Sequence, residues 1–245
     1  MTKIKLNIVI LGAGNLAWHL SQELKKRGQN IIQVYNRTVN KAEELSKLIQ
    51  CEFTSKIEKI NNNADLYILC INDKALIELS NSLPIKNKLV VHTSGAASID
   101  FISQPQRGVF YPLQTFSKEK EINFKEIPIC IEAKDDNNKR TLIKLGNLLS
   151  DCVYEIDSDQ RKTLHLAAVF ANNFSNYMYS ISEKILSNKN IPFDILKPLI
   201  METASKVLMH SPKESQTGPA IRNDQTSIKT HLDDLKHGNY YDIYK

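Results

Sequence analysis

Apolar residues fall in two rhythms along this chain, and the change from one to the other divides it. Up to residue 157, short continuous apolar runs alternate with stretches whose apolar positions recur every three or four residues. Residues 6–11 (Leu6-Asn7-Ile8-Val9-Ile10-Leu11), 31–36, 66–71, 88–92, 108–111, 127–131 and 152–156 have strand length and composition. Residues 16–24, 40–50 and 138–150 read as amphipathic helices. Strands alternating with helices predict a parallel, doubly wound α/β sheet. From Ser158 the alternation stops. Residues 160–187 form one long helical pattern without Gly or Pro; 192–210 and 224–237 follow as two more, around a loop at 211–223 that holds Pro212, Gly218 and Pro219. The expectation is a doubly wound α/β domain over 1–157 and a smaller all-helical domain over 158–245.

Between the first strand and the first helix stands Gly12-Ala13-Gly14-Asn15-Leu16-Ala17. In that context G-x-G-x-x-A is a dinucleotide-binding fingerprint. Gly12 permits the tight turn, Gly14 lets backbone approach a pyrophosphate, and Ala17 allows close helix–strand packing. The N–H groups opening the helix, from Asn15 and Leu16 on, suit an anion. A carboxylate about 20 positions on usually holds the ribose 2′-hydroxyl of NAD. Here the second strand ends in Asn36-Arg37-Thr38 instead. An arginine fork flanked by neutral hydrogen-bonding groups suits a 2′-phosphate, which favours NADP.

The 245 residues carry 42% hydrophobic and 24% charged residues, ordinary for a globular enzyme. The net charge of +5 is spread among interspersed acids and bases, without a basic stripe interleaved with aromatics, so nucleic acid is not an expected partner. No apolar run approaches the roughly 20 residues of a membrane span. The start, Met1-Thr2-Lys3-Ile4-Lys5, runs straight into the first strand and leaves no room for a signal peptide. Cys51, Cys70, Cys130 and Cys152 are widely spaced, and Cys70 and Cys130 lie in apolar runs, as reduced thiols of a cytoplasmic protein would. No metal-ligand spacing is present.

Candidate chemistry lies beyond the strand ends and on the long helix. In open α/β sheets ligands bind past the carboxyl ends of strands. Ile71 and Asn72, then Ser94 and Gly95, are therefore expected beside the cofactor, and Gln114 and Thr115 beside the substrate; Asp73 reads as an ordinary capping residue. On the long helix Leu164, Ala167, Ala171, Phe174, Met178, Ile181 and Ile185 form a core stripe, and Leu166, Phe170 and Tyr177 a second apolar line. Between them Arg161, His165, Ala168, Asn172, Ser175 and Tyr179 make a mostly polar row. That row either faces a cleft between the domains or satisfies buried backbone groups.

Four stretches together resemble a known bacterial family: His92-Thr93-Ser94-Gly95-Ala96; Tyr111-Pro112-Leu113-Gln114-Thr115-Phe116; the run from His165 to Phe174; and Thr217-Gly218-Pro219-Ala220-Ile221-Arg222-Asn223-Asp224. These are similar to Rossmann-like oxidoreductases with a C-terminal helical domain of unknown function 2520, relatives of 6-phosphogluconate dehydrogenase and pyrroline-5-carboxylate reductase. The resemblance spans nearly the whole chain. It implies a helical domain of the 6-phosphogluconate dehydrogenase C-terminal type and dimerisation through that domain. Family members often carry His in place of Tyr111 and Gly in place of Asn223.

The expected activity is NADP-dependent hydride transfer to or from a carbonyl or imine carbon of a small metabolite. His165 is the expected proton donor, since an imidazole titrates near neutrality. Asn172 is expected to orient the substrate, with Asn173 and Arg222 as further contacts. Two alternatives stay open: an NADP(H) sensor without turnover, and an imine reductase of the pyrroline-5-carboxylate type.

Overall fold

The computed structural model describes residues 4–245; Met1-Thr2-Lys3, part of the start discussed above, lies outside the described residues. Eight strands form one sheet: β1 Asn7–Leu11, β2 Asn30–Tyr35, β3 Glu52–Thr54, β4 Leu66–Leu69, β5 Leu89–His92, β6 Arg107–Pro112, β7 Ile129–Ala133 and β8 Val153–Glu155, in the order β3-β2-β1-β4-β5-β6-β7-β8. Helices α1 Asn15–Lys26, α2 Val39–Ile49, α3 Leu76–Ser82 and α4 Asp136–Leu149 connect them. The central strands β4 and β5 are buried along their whole length, as parallel strands covered on both faces must be. Alternate residues of one strand enter opposite cores. Ile8 and Ile10 pack with Leu20, Leu24, Leu142 and Leu145. Val9 and Leu11 pack with Leu76, Leu79 and Ile102.

The chain winds from β1 to β2 on one side and to β4 on the other, so the order reverses at β1 and opens a crevice beyond the carboxyl ends there. The last two strands depart from the all-parallel expectation: β7 pairs with β6 antiparallel, with Tyr111 opposite Cys130, and β8 runs parallel to β7. The link between them contains only the short 3-10 turn Phe124–Glu126, not a crossover helix, so the chain returns alongside β6. Strand β3 has no counterpart among the expected elements. It is a three-residue edge strand with only Thr54 buried, too short to print an apolar run.

The chain divides into two compact units, Met1–Ala167 and Ala168–Lys245. The first takes in nearly all of α5, Ser158–Ala168, which begins after the sequence has stopped alternating. The second consists of a π-helical turn, Val169–Phe174, then α6 Ser175–Ser187, α7 Lys197–Met209, α8 Gln225–Leu235 and α9 Tyr241–Tyr244. Pro192 precedes a 3-10 turn, Phe193–Leu196, and α7 starts only at Lys197. Asp224 caps α8, its carboxylate accepting from the Ser227 N–H at 3.1 Å. Asn223 just before it adopts φ 52°, the left-handed region that Gly and Asn tolerate. Within this unit Ile181 alone of the expected core stripe is buried, whereas Phe174, Met178 and Ile185 are exposed. Among the described residues no helix is long and apolar enough to cross a membrane.

Candidate functional site

The crevice beyond β1 and β4 is shaped by two glycines with different tasks. Gly12 has φ +115°, and a Cβ there would lie 2.2 Å from the Cys70 carbonyl oxygen. Its N–H donates to the Tyr35 carbonyl at 2.7 Å, so the turn is held against the ends of both neighbouring strands. Gly14 is the opposite case: an added Cβ would meet nothing within 4 Å. It stands at the N-cap of α1, which no side chain caps. An open cradle at an uncapped helix N-terminus fits a pyrophosphate.

One cavity of about 290 Å³ extends from this cradle to the end of β2. Asn36, Arg37, Thr38 and Lys41 line its far end, while Ile71, Ala75 and Leu79 form apolar wall. Neither Arg37 nor Lys41 forms an ion pair among the described residues. The Asn36 amide donates to the Thr38 carbonyl at 3.0 Å and so shapes the turn that carries Arg37. Lys41, in the first turn of α2, was not expected from the sequence. Burial pushes the Tyr35 phenol up, opposed by the nearby Arg37 charge. Glu78 is an acidic member of the same wall. Asn72 lines it too, but its side-chain oxygen accepts from the Ala75 N–H at 3.1 Å. The cap expected of Asp73 is thus made by its neighbour.

A second cavity shares Gly14, Cys70 and Ile71 with the first and continues past the ends of β5 and β6. It is lined by Asn15, Leu16, Ser94, Gly95, Gln114 and His165 of the expected residues, and by Asp73, Tyr111 and Phe116 besides. Thr115 is exposed and is not among the lining residues. The Asn15 side chain donates to the Phe116 carbonyl at 2.8 Å, which ties α1 to the loop after β6 and leaves its backbone N–H for a ligand. Ser94 Oγ accepts from the N–H groups of Ala96 and Ala97 at 3.1 and 3.0 Å. Burial pushes the Cys70 thiol up to about 12, so it stays protonated.

His165 reaches this cavity from α5. Its Nδ1 is 3.2 Å from the Tyr111 hydroxyl, and the two rings meet edge to face at 72°. A Cβ on Gly95 would lie 2.6 Å from that Nδ1 and 2.8 Å from the Tyr111 hydroxyl oxygen. Burial pushes the Tyr111 phenol up to about 12, so it stays protonated.

Arg161, one turn earlier, does not share this outlook. It is completely buried. Its guanidinium pairs with Glu132 on β7 and donates to the Ala97 carbonyl at 2.5 Å and the Ser158 hydroxyl at 3.1 Å. The polar row of the sequence is therefore split, with Arg161 anchoring α5 inward and His165 facing the cavity. Spacing of four residues leaves an offset of about 40° around the helix, enough to bury Arg161 fully and leave His165 half-buried. Asn172 and Asn173 are exposed on the π turn of the second unit, and Arg222 is exposed in the turn before α8.

Residues 7–95 match the family described as NADP oxidoreductase coenzyme F420-dependent, and residues 127–245 match the domain of unknown function DUF2520. A candidate NADP oxidoreductase from Bacteroides fragilis is 43% identical, with 98% of this chain and 95% of that one covered and a TM-score of 0.89. A 1-pyrroline-5-carboxylate reductase from Streptococcus pyogenes shares the fold at 13% identity, covering 94% and 92% of the two chains, with a TM-score of 0.67. An imine reductase from Myxococcus stipitatus, solved in complex with NADP+, does so at 14% identity, covering 97% and 92%, with a TM-score of 0.71. Comparison with curated proteins found no match. The chain belongs to the family of the Bacteroides fragilis protein, in which a Rossmann nucleotide-binding domain is joined to the DUF2520 domain.

Proposed function

We propose that the protein is an NADP-dependent oxidoreductase that moves a hydride between the nicotinamide and a carbonyl or imine carbon of a small metabolite. One observation carries this reading: two cavities that share Gly14, Cys70 and Ile71 lead from unpaired cations to a histidine. Phosphate chemistry suits one end and proton transfer the other. In this reading Gly12, Gly14 and the first N–H groups of α1, from Asn15 and Leu16, hold the pyrophosphate. Arg37 takes the 2′-phosphate with Asn36, Thr38 and Lys41. Ile71, Asn72, Ser94 and Gly95 border the rest of the cofactor. NADP supplies the hydride chemistry when bound. His165 exchanges a proton with the substrate oxygen or nitrogen, and Gln114 orients the substrate. Thr115 next to it, and Asn172, Asn173 and Arg222 on the second unit, are further substrate contacts on sequence grounds.

The second unit supports a homodimer. Leu208 and Met209 are 86% and 74% exposed, and Ile195, Leu199 and Met201 are exposed beside them in the chain. Apolar surface on this scale in a small helical unit calls for a partner, and a second copy of this chain is the one we propose. Four free cysteines suit a cytoplasmic enzyme.

The test is NADPH oxidation with a panel of small ketones and cyclic imines, run on wild type and His165→Ala. At least one acceptor should turn over. His165→Ala should then lower turnover by roughly 10²–10⁴-fold while NADPH affinity barely changes. Tight NADPH binding without oxidation by any acceptor would favour the sensor reading instead.

A further inference from the structure

We propose that Tyr111 is a positioning residue for His165, holding the imidazole by Nδ1 so that Nε2 alone exchanges the proton, and that Gly95 makes room for this pair. The inference rests on His165 being the proton-transfer group of the proposed reaction. Three observations lead to it. The hydroxyl and Nδ1 are 3.2 Å apart, and no other hydrogen-bond partner of either side chain is present among the described residues. Both side chains line the cavity, and Tyr111 is the more deeply buried of the two. Any residue larger than glycine at position 95 would overlap both side chains.

A phenol is well suited to this task. A hydroxyl accepts as well as donates, so it can accept from Nδ1–H both in the imidazolium and in the neutral ring left when Nε2 gives up its proton. When the imidazolium gives its Nε2 proton to a substrate oxygen or nitrogen whose carbon has gained the hydride, the Nδ1 proton stays and remains bonded to Tyr111. In the reverse direction the Nε2 lone pair takes the proton back. Burial keeps the phenol protonated, so it orients the ring without adding charge. The other ionisable groups near the ring do not replace it. Arg161, on the same helix, is bonded to Glu132, Ser158 and Ala97. Asp73 and Cys70 line the same cavity without bonding to His165.

The test is ring-nitrogen NMR of the full chain, carrying labelled histidine, with and without NADPH, alongside NADPH-linked turnover. In wild type the neutral His165 ring should be held as the Nδ1–H tautomer, with Nε2 bare. Tyr111→Phe keeps the ring but removes the hydroxyl, so the two ring nitrogens should move toward a mixture of tautomers and turnover should fall by about fivefold, the worth of one hydrogen bond. Gly95→Ala should act the same way by forcing ring and hydroxyl apart, and serves if Tyr111→Phe fails to fold. The exposed His231 should keep its ring signals in both variants. Unchanged His165 ring signals in the folded variants would overturn the proposal. Normal NADPH-linked turnover by His165→Ala, with the Tyr111→Phe change in ring signals present, would instead defeat the catalytic reading of His165 on which the proposal rests.

Discussion

Gly14 and Gly12 lie two positions apart and respond oppositely to a side chain. At Gly14 there is open space, so Gly14→Val should fold as wild type does and lose NADPH binding, because the new side chain fills the proposed pyrophosphate cradle. Fluorescence titration and a thermal melt check both halves; a folded Gly14→Val protein with wild-type affinity would remove the cradle. At Gly12 the backbone of Cys70 is in the way and φ is positive, so even Gly12→Ala should cost on the order of 1–3 kcal/mol of stability. These glycines and Arg37 were legible because a strand, a turn and a helix in sequence dictate where backbone must be bare and where a cation ends up. Lys41 was not, since a lysine on an amphipathic helix looks like solvated surface. Only the fold of α2 turns it to the Arg37 side of the cavity. Arg161 takes the second of the two roles open to the polar row, bonding a buried backbone carbonyl; the sequence could not choose it, because its partner Glu132 is remote and no local pattern announces a buried pair.

At the scale of elements, the loop after β5 is tied to α5 through His92 and Arg161. His92 Nδ1 accepts from the Ser94 N–H at 3.1 Å, and Nε2 meets the Ser98 carbonyl at 3.2 Å. Burial pushes this imidazole down from 6.5 to about 4, and the Arg161 charge adds to the effect, against the pull of the Ser98 carbonyl. The folded value lies below the unfolded one, so the unfolded chain binds more protons between these pH values. The neutral ring's contribution is therefore complete above about pH 6.5 and is lost as pH falls toward 4. By pH 5 the loss is about 2 kcal/mol. Thermal melts at pH 7 and pH 5 should show a fall in Tm that is smaller in His92→Gln; an equal fall in both would clear His92 of the effect. The strands themselves were legible because a buried parallel strand is apolar throughout. The reversal at β7 was not, because strand direction is decided by the connection and not by the strand. The π turn Val169–Phe174 explains why the expected core stripe drifts: a wider turn rotates every later residue away from a period of 3.6.

At the scale of the whole molecule, the change of rhythm near Ser158 marks where strands end, whereas the first compact unit keeps nearly all of α5. The difference follows from Arg161, which binds that helix to β7 and to the Thr93–Ala97 stretch. If the exposed apolar residues of α7 meet a second copy, sedimentation at micromolar concentration should give the mass of two chains for wild type and of one for Leu199→Glu/Leu208→Glu. A one-chain wild type would overturn the dimer. The central claim is the cofactor, and titrating NADPH and NADH into wild type and Arg37→Ala tests it most directly. Wild type should prefer NADPH, and Arg37→Ala should weaken NADPH by about ten- to a hundredfold, the worth of a charge-assisted hydrogen bond of roughly 1.5–3 kcal/mol, while NADH is little affected. Wild-type preference for NADH, or an equal loss of both cofactors in Arg37→Ala, would contradict it.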